Sequence, residues 1–246
     1  MRVWGAAVAI AVLALPGATP AAAAGPTASA GCPKPVAGTV HSAPGHGRTV
    51  ALTFDDGPSP WTPKILAVLA KEKVSATFFD TGAHATRYPE FVRAEAAAGH
   101  VVGDHSWDHT YPRDVPWTKA YLRDQFGRTA TKERALTDQP VCLLRPPGGF
   151  EPKSLAPVAH ELGMSVFTWS VDPQDWRQPG HRSASDINRI ATAARPGGLH
   201  HPIVLLHAGK ASHGAAVSSY RGNTVAALPA IIDWYRSHGY RFVTLH

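Results

Sequence analysis

From residue 48 onward, short apolar runs bounded by turn residues alternate with stretches of helical spacing. No other feature limits the fold as much. Strands are predicted at Thr49–Phe54, Ser75–Phe79, His100–Gly103, Val141–Arg145, Ser165–Trp169, Ile203–His207 and Arg241–Leu245. Between the first two, Ile65, Leu66 and Leu69 recur at helical spacing, and between the next two Pro89 opens and Gly99 closes a helix. Further helices are predicted over Lys119–Thr137, Lys153–Leu162, Asp186–Ala194 and Thr224–His238. Strands separated by helices pair in parallel, which gives a βα barrel or a doubly wound sheet. No internal repeat and no second domain are visible.

The first residues read differently. Arg2 gives a short positive start, Trp4 to Leu15 form an apolar run, and Ala22 and Ala24 have the small-residue spacing of a signal-peptidase site. The apolar run is short for a membrane span. Residues 1–24 are therefore expected to be a signal peptide, 25–47 a flexible leader, and 48–246 a single folded domain. The mature chain is expected outside the cytoplasm, secreted or associated with the cell wall, without stable membrane insertion and as a monomer. Cys32 and Cys142 either pair, as an oxidising compartment allows, or remain free thiols. Net charge is +6 with a pI near 9.5, which suits an anionic polymer and equally suits solubility. No Lys/Arg run or nucleic-acid motif is present, so DNA and RNA are set aside.

In both candidate folds, ligands bind at the carboxyl ends of the strands. Those positions hold Asp55 and Asp56, His105 and His109, Arg145, Asp172, Asp175 and Trp176, and His207. Asp55 and Asp56 would face opposite sides of a regular strand, but Gly57 and Pro58 break it, so both can turn into one pocket. An Asp-Gly turn explains them equally well in isolation. His105 and His109, spaced i and i+4, would share one face of a helical turn and present two imidazoles to one metal. A His₂–carboxylate set suits a catalytic zinc and also a non-haem Fe(II) oxygenase. Arg145 leads a Pro-Pro-Gly-Gly run and is suited to keeping an Asp ionised. His207 ends an apolar strand, where a nearby Asp would favour its protonated form.

With those motifs in order, the chain resembles the carbohydrate esterase family 4 polysaccharide deacetylases, the NodB homology domain. The likeness rests on Thr53-Phe-Asp-Asp-Gly-Pro58, His105-Ser-x-x-His109, Arg145-x-Pro147, Asp172-x-x-Asp175-Trp176 and Leu205-x-His207. It extends to Ala76–Phe79, Thr224–Leu228 and Gly239–Leu245, from about Arg48 to the C-terminus. The resemblance implies a distorted, incomplete (β/α)7 barrel. It implies that Asp56, His105 and His109 hold a divalent metal, zinc or cobalt, and that Asp55 is the general base, kept ionised by Arg145. His207 would be the general acid, tuned by Asp175. Trp176 and Leu205 would shape the acetyl pocket, and the Gly148 N–H would meet the oxyanion. The implied substrate is an acetylated polysaccharide: peptidoglycan, chitin oligomers, poly-N-acetylglucosamine or acetylxylan.

Two positions depart from the family pattern. Gly148 stands where a Tyr is frequent, and Ala208 where an Asp commonly follows the final His. Competing readings are a glycoside hydrolase using the Asp pair and a catalytically inactive carbohydrate-binding protein. Adjacent carboxylates on one turn are poorly placed to flank a glycosidic bond.

Overall fold

The computed structural model describes Met1, residues 31–211 and residues 218–246. Apart from Met1, the expected signal peptide and the start of the leader lie outside the described residues. Eight strands form one all-parallel sheet: β1 (Thr39–Val40), β2 (Thr49–Gly57), β3 (Thr77–Asp80), β4 (Val101–Asp104), β5 (Leu143–Leu144), β6 (Ser165–Phe167), β7 (Ile203–His207) and β8 (Arg241–Phe242). The order is β1-β6-β5-β4-β3-β2-β7, with β8 paired to the start of β2. Among the described residues the row closes through isolated bridges, Ser42 just after β1 with Pro202 just before β7, and Val171 after β6 with Val204 of β7. The result is the incomplete (β/α)7 barrel that the resemblance implies, built as a single domain.

Helices α1 (Thr62–Glu72), α2 (Gly82–Arg87), α3 (Pro89–Ala97), α4 (Lys119–Thr137), α5 (Leu155–Glu161), α6 (Ala184–Ala193) and α7 (Gly222–Ser237) connect the strands. Their starts follow local chemistry. Thr81, Thr118 and Ser183 accept hydrogen bonds from the backbone N–H three residues on and so cap α2, α4 and α6.

β2 is buried along its whole length, as a central parallel strand must be, and its side chains divide by parity. Leu52 and Phe54 face outward against Ile65, Leu69, Ile190 and Ile231 of the covering helices. Ala51 faces inward, with Phe79, Leu143, Phe167 and Ile203 in the barrel interior. A period of two from Ala51 leads to Thr53 and Asp55, and from Ile203 to Leu205 and His207. Asp55 and His207 are register partners on neighbouring strands. The interior row thus turns from apolar to titratable at its carboxyl end.

The latter part of the stretch expected as a loose leader is held to the domain. β1 joins β6, the Val36 N–H donates to Ser165 Oγ (3.0 Å), and Cys32 is disulfide-bonded to Cys142. Two-residue β1 carries no periodicity that would announce it. Its pairing with the β6 edge supplies the hydrogen bonds that make it a strand.

Candidate active site

Asp55 and Asp56 reach one pocket through a β-bulge. Asp55 pairs with Phe79 and Gly57 with Asp80, so Asp56 is the extra residue. It has φ 64, the left-handed region, which costs a non-glycine residue about 1 kcal/mol. The expected break at Gly57 and Pro58 is thus realised one residue earlier, at Asp56 itself. The bulge reverses the strand's alternation at that point and turns both carboxylates inward.

His105 and His109 meet, with ring centroids 4.8 Å apart, but the expected helical turn is absent. Residues 105–110 form an irregular loop in which Ser106 (φ 65) and His109 (φ 60) are left-handed. Local hydrogen bonds hold it: Ser106 N–H donates to Asp104 Oδ1 (2.8 Å) and His109 N–H to Ser106 Oγ (3.2 Å). The Trp107 and Asp108 N–H groups both donate to Gln125 Oε1 on α4.

Asp56 Oδ1 lies 3.6 Å from His105 Nε2 and 3.4 Å from His109 Nε2. One ligand atom from each of the three buried residues falls within 4.8 Å of the other two, the only such set among the described residues. Asp56 Oδ1 is buried and accepts no hydrogen bond from any described residue. A buried carboxylate oxygen facing two imidazoles without a donor fits a divalent cation between them. His105 Nδ1 is 2.8 Å from the Arg145 carbonyl, to which it donates, and this leaves the Nε2 lone pair toward Asp56. Burial pushes the His105 pKa down to about 4, assisted by His109 and opposed by Asp55 and Asp56, so the ring is neutral at neutral pH. Burial disfavours the ionised form of Asp56, yet His109, His207, His105 and Arg221 hold its carboxyl below the usual carboxylate range.

Arg145 is fully buried and serves Asp55. Its Nη1 donates to Asp55 Oδ1 (2.6 Å) and Thr53 Oγ1 (2.8 Å), and its Nη2 to the Thr168 carbonyl (2.8 Å). The guanidinium lies 4.1 Å from the Phe79 ring centroid, so the barrel interior both desolvates and orients it. Across the pocket, His207 Nδ1 donates to Asp175 Oδ1 (2.7 Å). Asp175 Oδ2 accepts from the His207 N–H (2.9 Å) and Thr224 Oγ1 (2.8 Å). Burial works against the charged form of His207, but Asp175 and, more weakly, Asp56 and Asp55 hold its pKa above the ordinary value.

Asp55, Asp56, His105, His109 and His207 line a cavity of about 380 Å³, together with Gly148, Asp172, Trp176 and Leu205. Arg145 and Asp175 adjoin it through their hydrogen bonds to Asp55 and His207. The residues singled out from the sequence, Asp172 included, are therefore brought together at one site. Others were not singled out: Tyr111, Arg113, Phe150, Trp169 and Arg221 also line it. Tyr111 packs edge-on against His109 and Phe150. A Cβ at Gly148 would come within 2.8 Å of the Tyr111 ring and 3.0 Å of Phe150, so these two rings fill the space beside the glycine. Ala208, the other departure, is fully buried in the core, where its carbonyl accepts from Ser59 Oγ (2.6 Å). Tyr111 and Phe150 are aromatics two residues beyond the motif His109 and three beyond the motif Pro147, and that nearness is the signal the sequence holds for them.

A model of the polysaccharide deacetylase family matches residues 42–167. The chain belongs to that family. It is 35% identical over 205 residues to a peptidoglycan-N-acetylglucosamine deacetylase of Bacillus cereus, covering 82% of this chain and 88% of that one. A chitooligosaccharide deacetylase of Sinorhizobium fredii is 35% identical over 199 residues, covering 78% and 87%. Among solved structures, a peptidoglycan N-acetylglucosamine deacetylase bound to a naphthyl N-hydroxybenzamide superposes with TM-score 0.72 at 31% identity, covering 84% and 90%. The protein is accordingly a hydrolase, a polysaccharide deacetylase of carbohydrate esterase family 4.

Proposed function

We propose that this deacetylase removes N-acetyl groups from an N-acetylglucosamine polymer outside the cytoplasm, using a divalent cation, zinc or cobalt, held by Asp56, His105 and His109. The convergence of Asp56 Oδ1 with two imidazole nitrogens, between Asp55 on one side and His207 on the other, carries this reading. The relatives named for peptidoglycan and for chitooligosaccharides support the substrate class. The positive net charge and the apolar, Ala-ended N-terminus favour a secreted enzyme acting on a wall polymer. No helix among the described residues is long and apolar enough to cross a membrane.

A bound divalent cation would polarise the acetyl carbonyl and lower the pKa of the attacking water. Arg145 holds Asp55 Oδ1, leaving Oδ2 on the cation side, 3.5 Å from His105 Nε2. From there Asp55 takes the proton of the water as its oxygen bonds to the carbonyl carbon. The Gly148 N–H donates to the tetrahedral oxyanion, a kind of contact worth about 3 kcal/mol in other enzymes. His207, its Nδ1–H anchored on Asp175, donates the Nε2 proton to the departing nitrogen. The C–N bond breaks, acetate forms and the sugar keeps a free amine. Each proton transfer contributes roughly 10²–10⁴-fold. Leu205 and Trp176 wall the space for the acetyl methyl, and Phe150 and Trp169 offer faces to the sugar.

The test is acetate release from matched panels of peptidoglycan, chitin oligomers and acetylxylan with added zinc or cobalt. Release from an N-acetylglucosamine polymer is expected. Release confined to the O-acetyl substrate would overturn the N-acetyl assignment. No release from any panel member would favour the carbohydrate-binding alternative.

A further inference from the structure

Asp56 owes its inward direction to a left-handed backbone that the rest of the fold must impose. Two contacts converge on its carbonyl. Gly209 approaches so closely that a Cβ there would lie 2.0 Å from the Asp56 oxygen, so only glycine fits. On another side, His84 Nδ1 lies 2.9 Å from the same oxygen. A carbonyl only accepts, so the imidazole donates from Nδ1. His84 is in the first turn of α2, and that turn is tied to the bulge a second time, since the Thr81 N–H donates to the Gly57 carbonyl (3.0 Å). Thr81 Oγ1 in turn caps the His84 N–H (3.3 Å). α2 therefore braces both residues that follow Asp55.

We infer that His84 is a positioning residue for the cation site: its Nδ1–H holds the Asp56 carbonyl and so fixes the bulge that aims the Asp56 carboxylate at His105 and His109. This rests on the proposal that those three residues bind a divalent cation. His84 itself touches neither cation nor substrate. Its part resembles that of the hydrogen-bonding partners that orient metal ligands elsewhere, except that the held atom is backbone.

The test is cobalt binding by calorimetry and visible absorption on chelator-treated full chain, comparing wild type with His84→Asn, His84→Phe and His84→Ala. Asparagine keeps an amide donor at the reach of Nδ1; phenylalanine and alanine do not. His84→Asn is expected to bind within about threefold of wild type, with the same absorption spectrum. His84→Phe and His84→Ala are expected to bind about 10–100-fold more weakly. Their acetate release should recover as cobalt is raised to saturation. Should the phenylalanine variant fail to fold, the alanine variant gives the same contrast. Donor-less variants that bind cobalt as tightly as wild type would overturn the inference, as would an asparagine variant weakened equally. A wild-type chain that binds no cobalt would instead refute the proposed cation site.

Discussion

Asp55 and Asp56 are adjacent and chemically alike, and the fold separates their tasks by what each one faces. Asp55 faces a buried guanidinium at 2.6 Å, while Asp56 faces two imidazoles. Asp55→Asn keeps the shape and removes the proposed proton acceptor. Acetate release is expected to fall by about 10²–10⁴-fold while cobalt binding stays intact, read by turnover and calorimetry on one sample. On the acid side, Asp175 opposes the effect of burial and raises the His207 pKa above its ordinary 6.5. The proton that His207 is proposed to donate is then retained above pH 6.5, and the alkaline limb of kcat is expected above that pH. In Asp175→Asn, burial is less opposed and the limb should move to lower pH. A limb unmoved by that substitution would assign it to another group. The same raised value stabilises the fold fully below pH 6.5, and this contribution is lost as pH rises through the folded value.

At the scale of elements, the interior parity of β2 and β7 delivers Asp55 and His207, and their place at the carboxyl ends of two strands was readable from the sequence. Other parts were not. The inward turn of Asp56 depends on a bulge secured by His84 and Gly209, which are 28 and 153 positions away in the chain, so no local pattern records it. The i, i+4 spacing of the two histidines pointed to their meeting but not to the loop that achieves it, because Gln125 on α4 supplies the bonds that replace a helical turn. Short α2 and β1 lack enough residues to show a period. The loop residue Phe150, 43% exposed at the cavity rim and edge-on to Tyr111 and Trp117, presents a face suited to a sugar ring. Phe150→Ala should raise KM for an N-acetylglucosamine tetramer roughly 2–10-fold, the equivalent of ~0.5–1.5 kcal/mol for an aromatic contact, with kcat little changed. Steady-state kinetics would show the split.

At the scale of the molecule, two features outside the site govern stability. Cys32 and Cys142 close a loop of 110 residues, and Cys32→Ser with Cys142→Ser should cost about 4–5 kcal/mol in denaturant unfolding. On β3, α3, β4 and α4 respectively, Asp80, Glu95, Asp104 and Glu133 are fully buried. Burial, and for Glu95 also the facing Asp80, pushes the Glu95 pKa well above its ordinary 4.5. The folded state therefore binds the extra proton, and stability falls as pH rises above 4.5 toward the folded value. Glu95→Gln removes that loss and should raise Tm more at pH 8 than at pH 5. The wider account depends on the three-residue cation site. Acetate release by chelator-treated enzyme, followed as zinc or cobalt is added back, tests it most directly. Activity should be absent without the metal and return in full at one equivalent; full activity in the metal-free chain would contradict the account.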